Sequence, residues 1–580
     1  MTTTAWLSAV ACLALAGEPA PPAAAPNVYE SAAAAKPAGE IDRLAFAKLA
    51  ALKIEPVLCS DAVFVRRVYL DLLGTLPTAQ EAREFIQDPD AKNRRARLID
   101  RLLERDEFAD YWAMKWGDVL RIKAEFPINL WPNAAQAYHR WVRASIAENK
   151  PYDKFVREML TASGSNFRVG PVNFYRAIQN RTPEGAANAV ALTFMGARVE
   201  SWPKERQAGM AAFFAQIGYK PTSEWKEEHV FWDPLRAAAQ PGNAAPGQPA
   251  VRVSIPPPDP ATAQATTEPP AAEAPLTAIF PDGTKAQLSP DRDPREVFAD
   301  WLITPKNPWF TRSVANRVWA WLLGRGIVHE PDDIRDDNPP SNPELLAYLE
   351  KELVAGRYDL KRLYRLILNS STYQMSSIPR PKAPKTAEAN FASYALRRLD
   401  AEVLIDAVNK ITGATDLYTS PIPEPFTYIP QGQPAVAIAD GSITSPFLAL
   451  FGRSARATGM ENERDNKPVP AQALHMLNSS HIQRKLEQGP KLKALIESGR
   501  PPAEITEELY LTILSRFPTP EEVKNAEAYG QAQTIKSPSR KDKSGKTVQD
   551  PPKTVVVKRR DDWVDIAWAL INSSEFLYRH

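Results

Sequence analysis

Residues 293–328, DPREVFADWLITPKNPWFTRSVANRVWAWLLGRGIV, decide the fold. Val297, Trp301 and Leu302 suggest one helix, and Val314, Val318, Trp321 and Leu322 mark a second with apolar positions three to four apart. The loop that follows, HEPDDIRDDNPPSNPELL (329–346), caps a third helix. Ser341 and Asn342 are N-cap candidates, Pro343 suits the first turn, and Glu344 complements the helix dipole. Working outward, the same signals recur with very few alternating strand patterns, so the chain reads as mainly α.

This stretch also carries the densest chemistry in the chain. The candidate binding residues are Trp309, Arg317, Trp319, Trp321, His329, Asp332, Asp333, Arg335, Asp336 and Asp337. Arg453 and Arg456, from the arginine-rich segment FGRSARATGMENERDNKPVP (451–470), complete the set. If the two polar regions converge, a guanidinium of Arg317, Arg453 or Arg456 contacts a carboxylate of residues 332–337. Asp332, Asp333, Asp336 and Asp337 are the metal candidates, because carboxylates on a short loop suit a divalent cation such as Ca²⁺. Their spacing lacks the glycine and terminal glutamate of an EF-hand, and ion pairing with Arg317, Arg325 and Arg335 is the competing reading. A third reading makes the carboxylates an acid–base pair on a glycosidic bond, with Trp309, Trp319 and Trp321 as a sugar platform. Against it, Trp319 and Trp321 are two apart and do not share a helix face.

Other chemistries lack their motifs. No serine sits in a Gly-x-Ser-x-Gly turn, no His-Glu-x-x-His appears, and no glycine-rich phosphate cradle is present. His475 and His481 lie six apart, which is not one face of a continuous helix. Net charge is +2 with both signs intermixed, so nothing resembles the basic field that nucleic-acid binding needs.

The 580 residues predict two to four globular parts. The apolar run WLSAVACLALA (6–16) reads as a signal-peptide core within residues 1–17, and predicts a periplasmic or secreted protein. No later stretch reaches the roughly 18 apolar residues of a membrane span. Residues 18–40 are Ala/Pro-rich and predict a flexible leader. Residues 41–235 form the first helical domain and include Gly74 as a helix stop and Thr78 with Glu81 as a capping box. The Pro/Ala-rich tract 236–276 is a linker. The second helical domain, 277–580, opens with a hairpin turning at Asp282-Gly283. It carries a long irregular insertion at 413–468 and a lysine-rich insertion at 536–560. Single helices are expected over 393–412 and 469–486. A weak repeat links LLGTLPTAQEAREFI (72–86) with ILSRFPTPEEVKNAEAY (513–529).

FVRRVYLDLLGTLPTAQEAREFI (64–86) and RRARLIDRLLERDEFADYWAMKWGDVLR (94–121) resemble the planctomycete cytochrome-associated family of domain DUF1549. Residues 293–349, with PVPAQALHMLNSSHI (468–482) and DIAWALINSSEFLYRH (565–580), resemble its usual partner, DUF1553. The resemblance implies a large exported protein, often with a Cys-x-x-Cys-His segment for covalent haem after a helix like ALTFMGARV. Here that stretch reads GARVESWPKERQAGMAAFF (196–214), with Ser201, Trp202 and Lys204 and no cysteine or histidine. Covalent haem is therefore not expected. The expected function is an extracytoplasmic binding or scaffold protein with a protein or cell-surface polysaccharide partner; the alternative is a polysaccharide-directed hydrolase.

Overall fold

The computed structural model describes residues 27–236, 277–535, 539–541, 547–549 and 553–580. The expected signal segment 1–17 and nearly all of the 236–276 linker lie outside the described residues. The chain is mainly α. Local signals account for several helix ends. Asp61–Leu73 starts where the Ser60 side chain accepts the Val63 N–H (3.2 Å) and stops at Gly74, φ 61°. A Cβ there would lie 2.4 Å from the Tyr111 ring, so the turn needs glycine for space as well as conformation. Thr78 and Glu81 then form the expected capping box of Ala79–Gln87. The repeat uses the same construction: Pro502–Leu514 ends at Ser515, φ 61°, and Thr519 with Glu522 caps Pro520–Ala528. The buried Arg66 guanidinium, on the helix that leads into the first copy, donates to the Ile513 carbonyl of the second and to the Phe576 carbonyl (both 2.8 Å).

Length predicts several cores, but the large apolar side chains of both halves form one continuous cluster, apart from two small satellites. Its centre is aromatic. Trp112 and Trp116, from the helix Asp106–Val119, meet Trp321, from Phe310–Leu323, at ring distances of 5.4 and 5.3 Å. Tyr364 lies 4.4 Å from Trp112, and Tyr152 stacks on Phe310 at 5.1 Å. Contacts of this kind add about 0.5–1.5 kcal/mol per pair beyond area burial. They make the two halves one packing unit.

Several expectations are corrected. The leader is ordered from residue 27: Glu30–Ala34 pairs with Val57–Cys59, and Glu30 accepts from Ser376 Oγ (2.7 Å). The helix expected over 393–412 begins only at Ala401, because Arg397–Arg398 pairs instead with Tyr578–Arg579. The helix expected over 469–486 is two, Pro470–Asn478 and Ser480–Gln488, broken where Ser479 leaves helical geometry and caps the second through Ile482 N–H. A small sheet is present that the sequence pattern does not predict: Glu228–Trp232 lies between Ile217–Pro221 and Gly164–Ser165, on strands too short to show alternation. The 277–288 hairpin is present. Gln531–Ile535 pairs antiparallel with Lys553–Val557, a strand inside the lysine-rich insertion 536–560.

Candidate functional site

The predicted loop folds inward at one point. Arg317 is fully buried on Phe310–Leu323. It donates to Asp332 Oδ1 (2.7 Å) and to the carbonyls of Thr193 (2.7 Å) and Leu192 (3.3 Å). Burial opposes its charge, but the Asp332 carboxylate outweighs that and holds the guanidinium above its ordinary pKa. The other Asp332 oxygen accepts the Glu461 N–H (2.6 Å), and Trp321 Nε1 donates to the Glu461 carboxylate (2.6 Å). The acidic loop and the arginine-rich segment therefore do meet, through Glu461. Burial raises the Glu461 carboxyl to about 7 against the pull of Lys115, with Asp332 reinforcing the rise.

The remaining predicted residues do not join this contact. Asp333 and Asp337 flank Arg335 (both 3.2 Å) at the surface, Asp336 is exposed, and so is His329. Among the described residues no group of three or more His, Cys, Asp or Glu gathers as metal ligands. Asp332 is committed to Arg317, and Arg335 lies between Asp333 and Asp337. Trp319 is fully buried, edge-on to Phe391 (5.1 Å), and Trp321 lies in the aromatic core. Trp309 packs on Trp301 (5.9 Å) beneath the Arg206 guanidinium (5.6 Å). A tryptophan platform for sugar is therefore corrected.

Arg453 and Arg456 belong to a second, buried network that sequence reasoning missed. Arg456 donates to Asp118 (2.9 Å) and the Ala439 carbonyl (2.8 Å), and Arg453 to Glu402 (3.2 Å). Arg464 bridges Asp118 (2.8 Å) and Glu402 (2.6 Å). Asp400 continues the chain to Lys115 (3.0 Å) and Arg579 (2.8 Å), and Arg579 reaches Asp71 (3.1 Å). Burial would protonate Asp400, but Lys115, Arg579 and Arg464 hold it well below the usual carboxylate range. Each charge is paired, so the network fixes how the 451–464 segment seats on Asp106–Val119 and Ala401–Thr412.

The open chemistry lies at the broken helix. A solvent-open cleft of about 560 Å³ is lined by Thr415, Asp416, Leu417, Pro446, Phe447, His475, His481 and Arg484, among others. The break at Ser479 turns Ser480–Gln488 back, so that His475 Nε2 and His481 Nδ1 face each other at 3.4 Å. His481 Nε2 donates to Asp416 Oδ1 (2.7 Å). Asp416 Oδ2 is held by Lys485 (3.0 Å) and Asn409 (3.1 Å). Burial pulls the Asp416 carboxyl upward, but the His481 hydrogen bond and the Lys485 ammonium overcome it and leave its pKa lowered. Burial, then His481, depresses His475, so its imidazole is neutral near pH 7. Arg484 is exposed and donates through Nε to the Ser480 carbonyl (3.1 Å). Its terminal nitrogens have no carboxylate partner among the described residues. The signal that could have found this site is Asn478-Ser479-Ser480, a polar break with an N-cap between the histidines.

Within residues 196–214, Val199–Ser201 forms a short turn and Lys204–Ala211 a helix, with Arg206 stacked on Trp202 (4.0 Å). Cys59, the one cysteine among the described residues, is fully buried.

No helix among the described residues is long and apolar enough to cross a membrane. No curated protein and no solved structure matches the chain. Two family models do: residues 40–214 match a protein of unknown function, DUF1549, and residues 294–530 a second, DUF1553. Their order and joint span agree with the motifs at 64–121 and 293–349, and the chain belongs to the family that carries DUF1549 followed by DUF1553.

Proposed function

We propose that this protein is an extracytoplasmic binding protein without covalent haem, and that its ligand is an acidic sugar of a cell-surface polysaccharide held in the His475–His481 cleft. The observation that carries the reading is the lining of that cleft. Arg484 offers terminal guanidinium nitrogens with no carboxylate partner among the described residues, two imidazoles line the same cleft, and Leu417, Pro446 and Phe447 supply apolar surface for a ring face. The leader run at residues 6–16 supports the compartment. The shared core of the two halves gives the cleft a rigid support, as a preorganised site requires.

The test is a thermal-shift series on the mature chain with trigalacturonic acid, galactotriose and inorganic phosphate. The expected result is stabilisation by the uronate trimer that is absent with the neutral trimer and lost in Arg484→Ala. Equal responses to the charged and neutral sugars, or an unchanged response in Arg484→Ala, would overturn the proposal. Stabilisation by phosphate alone would reassign the ligand class.

A further inference from the structure

The facing imidazoles carry a more specific reading of the same cleft. We infer that His475 Nε2 and His481 Nδ1 are a two-histidine site for an imidazole-preferring divalent cation of the zinc class, oriented by Asp416. Its geometry stands whether or not the acidic-sugar reading holds; only its use in ligand binding rests on that reading.

Two nitrogens bound at 2.0–2.1 Å to a tetrahedral centre lie about 3.3 Å apart. The observed separation is 3.4 Å. In the metal-free protein the same separation lets His475 Nε2–H donate a long hydrogen bond to His481 Nδ1, and loss of that one proton leaves two lone pairs at the spacing of ligands on one ion. The remaining surroundings agree. Asp416 Oδ1, 2.7 Å from His481 Nε2, fixes the proton on that nitrogen and turns the Nδ1 lone pair toward His475. This is the carboxylate–histidine–metal arrangement of protein zinc sites. Lys485 and Asn409 hold the second Asp416 oxygen, so the carboxylate orients His481 and is not itself drawn to the ion. Phe447, edge-on to both imidazoles at 5.5 and 5.8 Å, restricts their rotation.

No third histidine, cysteine or carboxylate joins them among the described residues. The remaining positions open on the cleft, where water or the carboxylate of a cleft ligand completes the coordination. Imidazole donors favour zinc, nickel or copper over calcium or magnesium. Two protein ligands give an exchangeable ion whose affinity rises when a ligand carboxylate is present.

The test is a titration of the full chain, free of any histidine tag and stripped with chelator, first with Zn²⁺ by calorimetry and then with Co²⁺ by visible absorption. One equivalent with the d–d bands of a tetrahedral site is expected. His475→Gln and His481→Gln should each abolish both signals in a protein that still unfolds in one cooperative transition, and Asp416→Asn should weaken binding by about 10–100-fold. Absence of stoichiometric binding in the wild type, or the same isotherm in a folded His475→Gln/His481→Gln protein, would overturn the inference. Because no sugar is present in the titration, and the sugar series can be run on metal-stripped protein, the two proposals fail separately. Zinc binding without a uronate response would sink only the sugar reading.

Discussion

Replacing Glu461 by glutamine should make the protein more stable at alkaline pH and leave it nearly unchanged under mild acid. The Glu461 carboxyl accepts from Trp321 Nε1 (2.6 Å), and its backbone N–H donates to Asp332. Burial, with Lys115 opposing and Asp332 reinforcing, raises it from an ordinary 4.5 to about 7. A native-state pKa above the unfolded one means the folded protein holds the proton more tightly. The associated stability is fully present below pH 4.5 and is lost as pH rises through 7. At about 1.4 kcal/mol per tenfold change in proton affinity, the loss is roughly 3 kcal/mol. Because the residue keeps partial exposure, about 2 kcal/mol is the better expectation. Glutamine stays neutral and its carbonyl can still accept from Trp321. Urea unfolding followed by tryptophan fluorescence at pH 8.5 and pH 4.5 reads the difference. A gain of about 2 kcal/mol at the higher pH, shrinking to within about 0.5 kcal/mol at the lower, supports the burial argument. Equal stabilities at both values, or a loss at pH 8.5, would refute it.

Two further perturbations test the interior. Arg464→Met leaves Asp118 and Glu402 buried with only Arg456 and Arg453 as partners, and should cost about 3–5 kcal/mol by denaturant titration; a cost below about 1 kcal/mol would show that the carboxylates repair themselves. Trp319→Ala opens a cavity against Phe391 and should cost about 3–5 kcal/mol without changing the response to trigalacturonic acid. A selective loss of that response in a protein of normal stability would return the tryptophan to the binding surface.

Sequence was informative where the determinant was local. The Thr78–Glu81 box, the Gly74 stop and the Asp282-Gly283 turn need only neighbouring residues, and all three are present. Ion pairing of the acidic loop was also legible, since Arg317 and Asp332 flank one helix–loop junction and meet at 2.7 Å. What stayed hidden depended on distant chain. Arg453 and Arg456 carry the residue types expected of a surface site, yet their partners Glu402 and Asp118 come from helices that only the shared core brings together. A separation of six places two histidines on different faces only if the helix is unbroken. Ser479 breaks it, and a separation of six then becomes a contact. The short strands near Glu228 escaped because two to five residues cannot display alternation.

The most direct test of the cleft as the binding site is hydrogen exchange by mass spectrometry on the mature chain, with and without saturating trigalacturonic acid. Slowed exchange is predicted in peptides covering 414–417, 445–448 and 475–489, with 329–338 unchanged. Protection confined to 329–338, or no protection in any of the three cleft segments, would contradict the account.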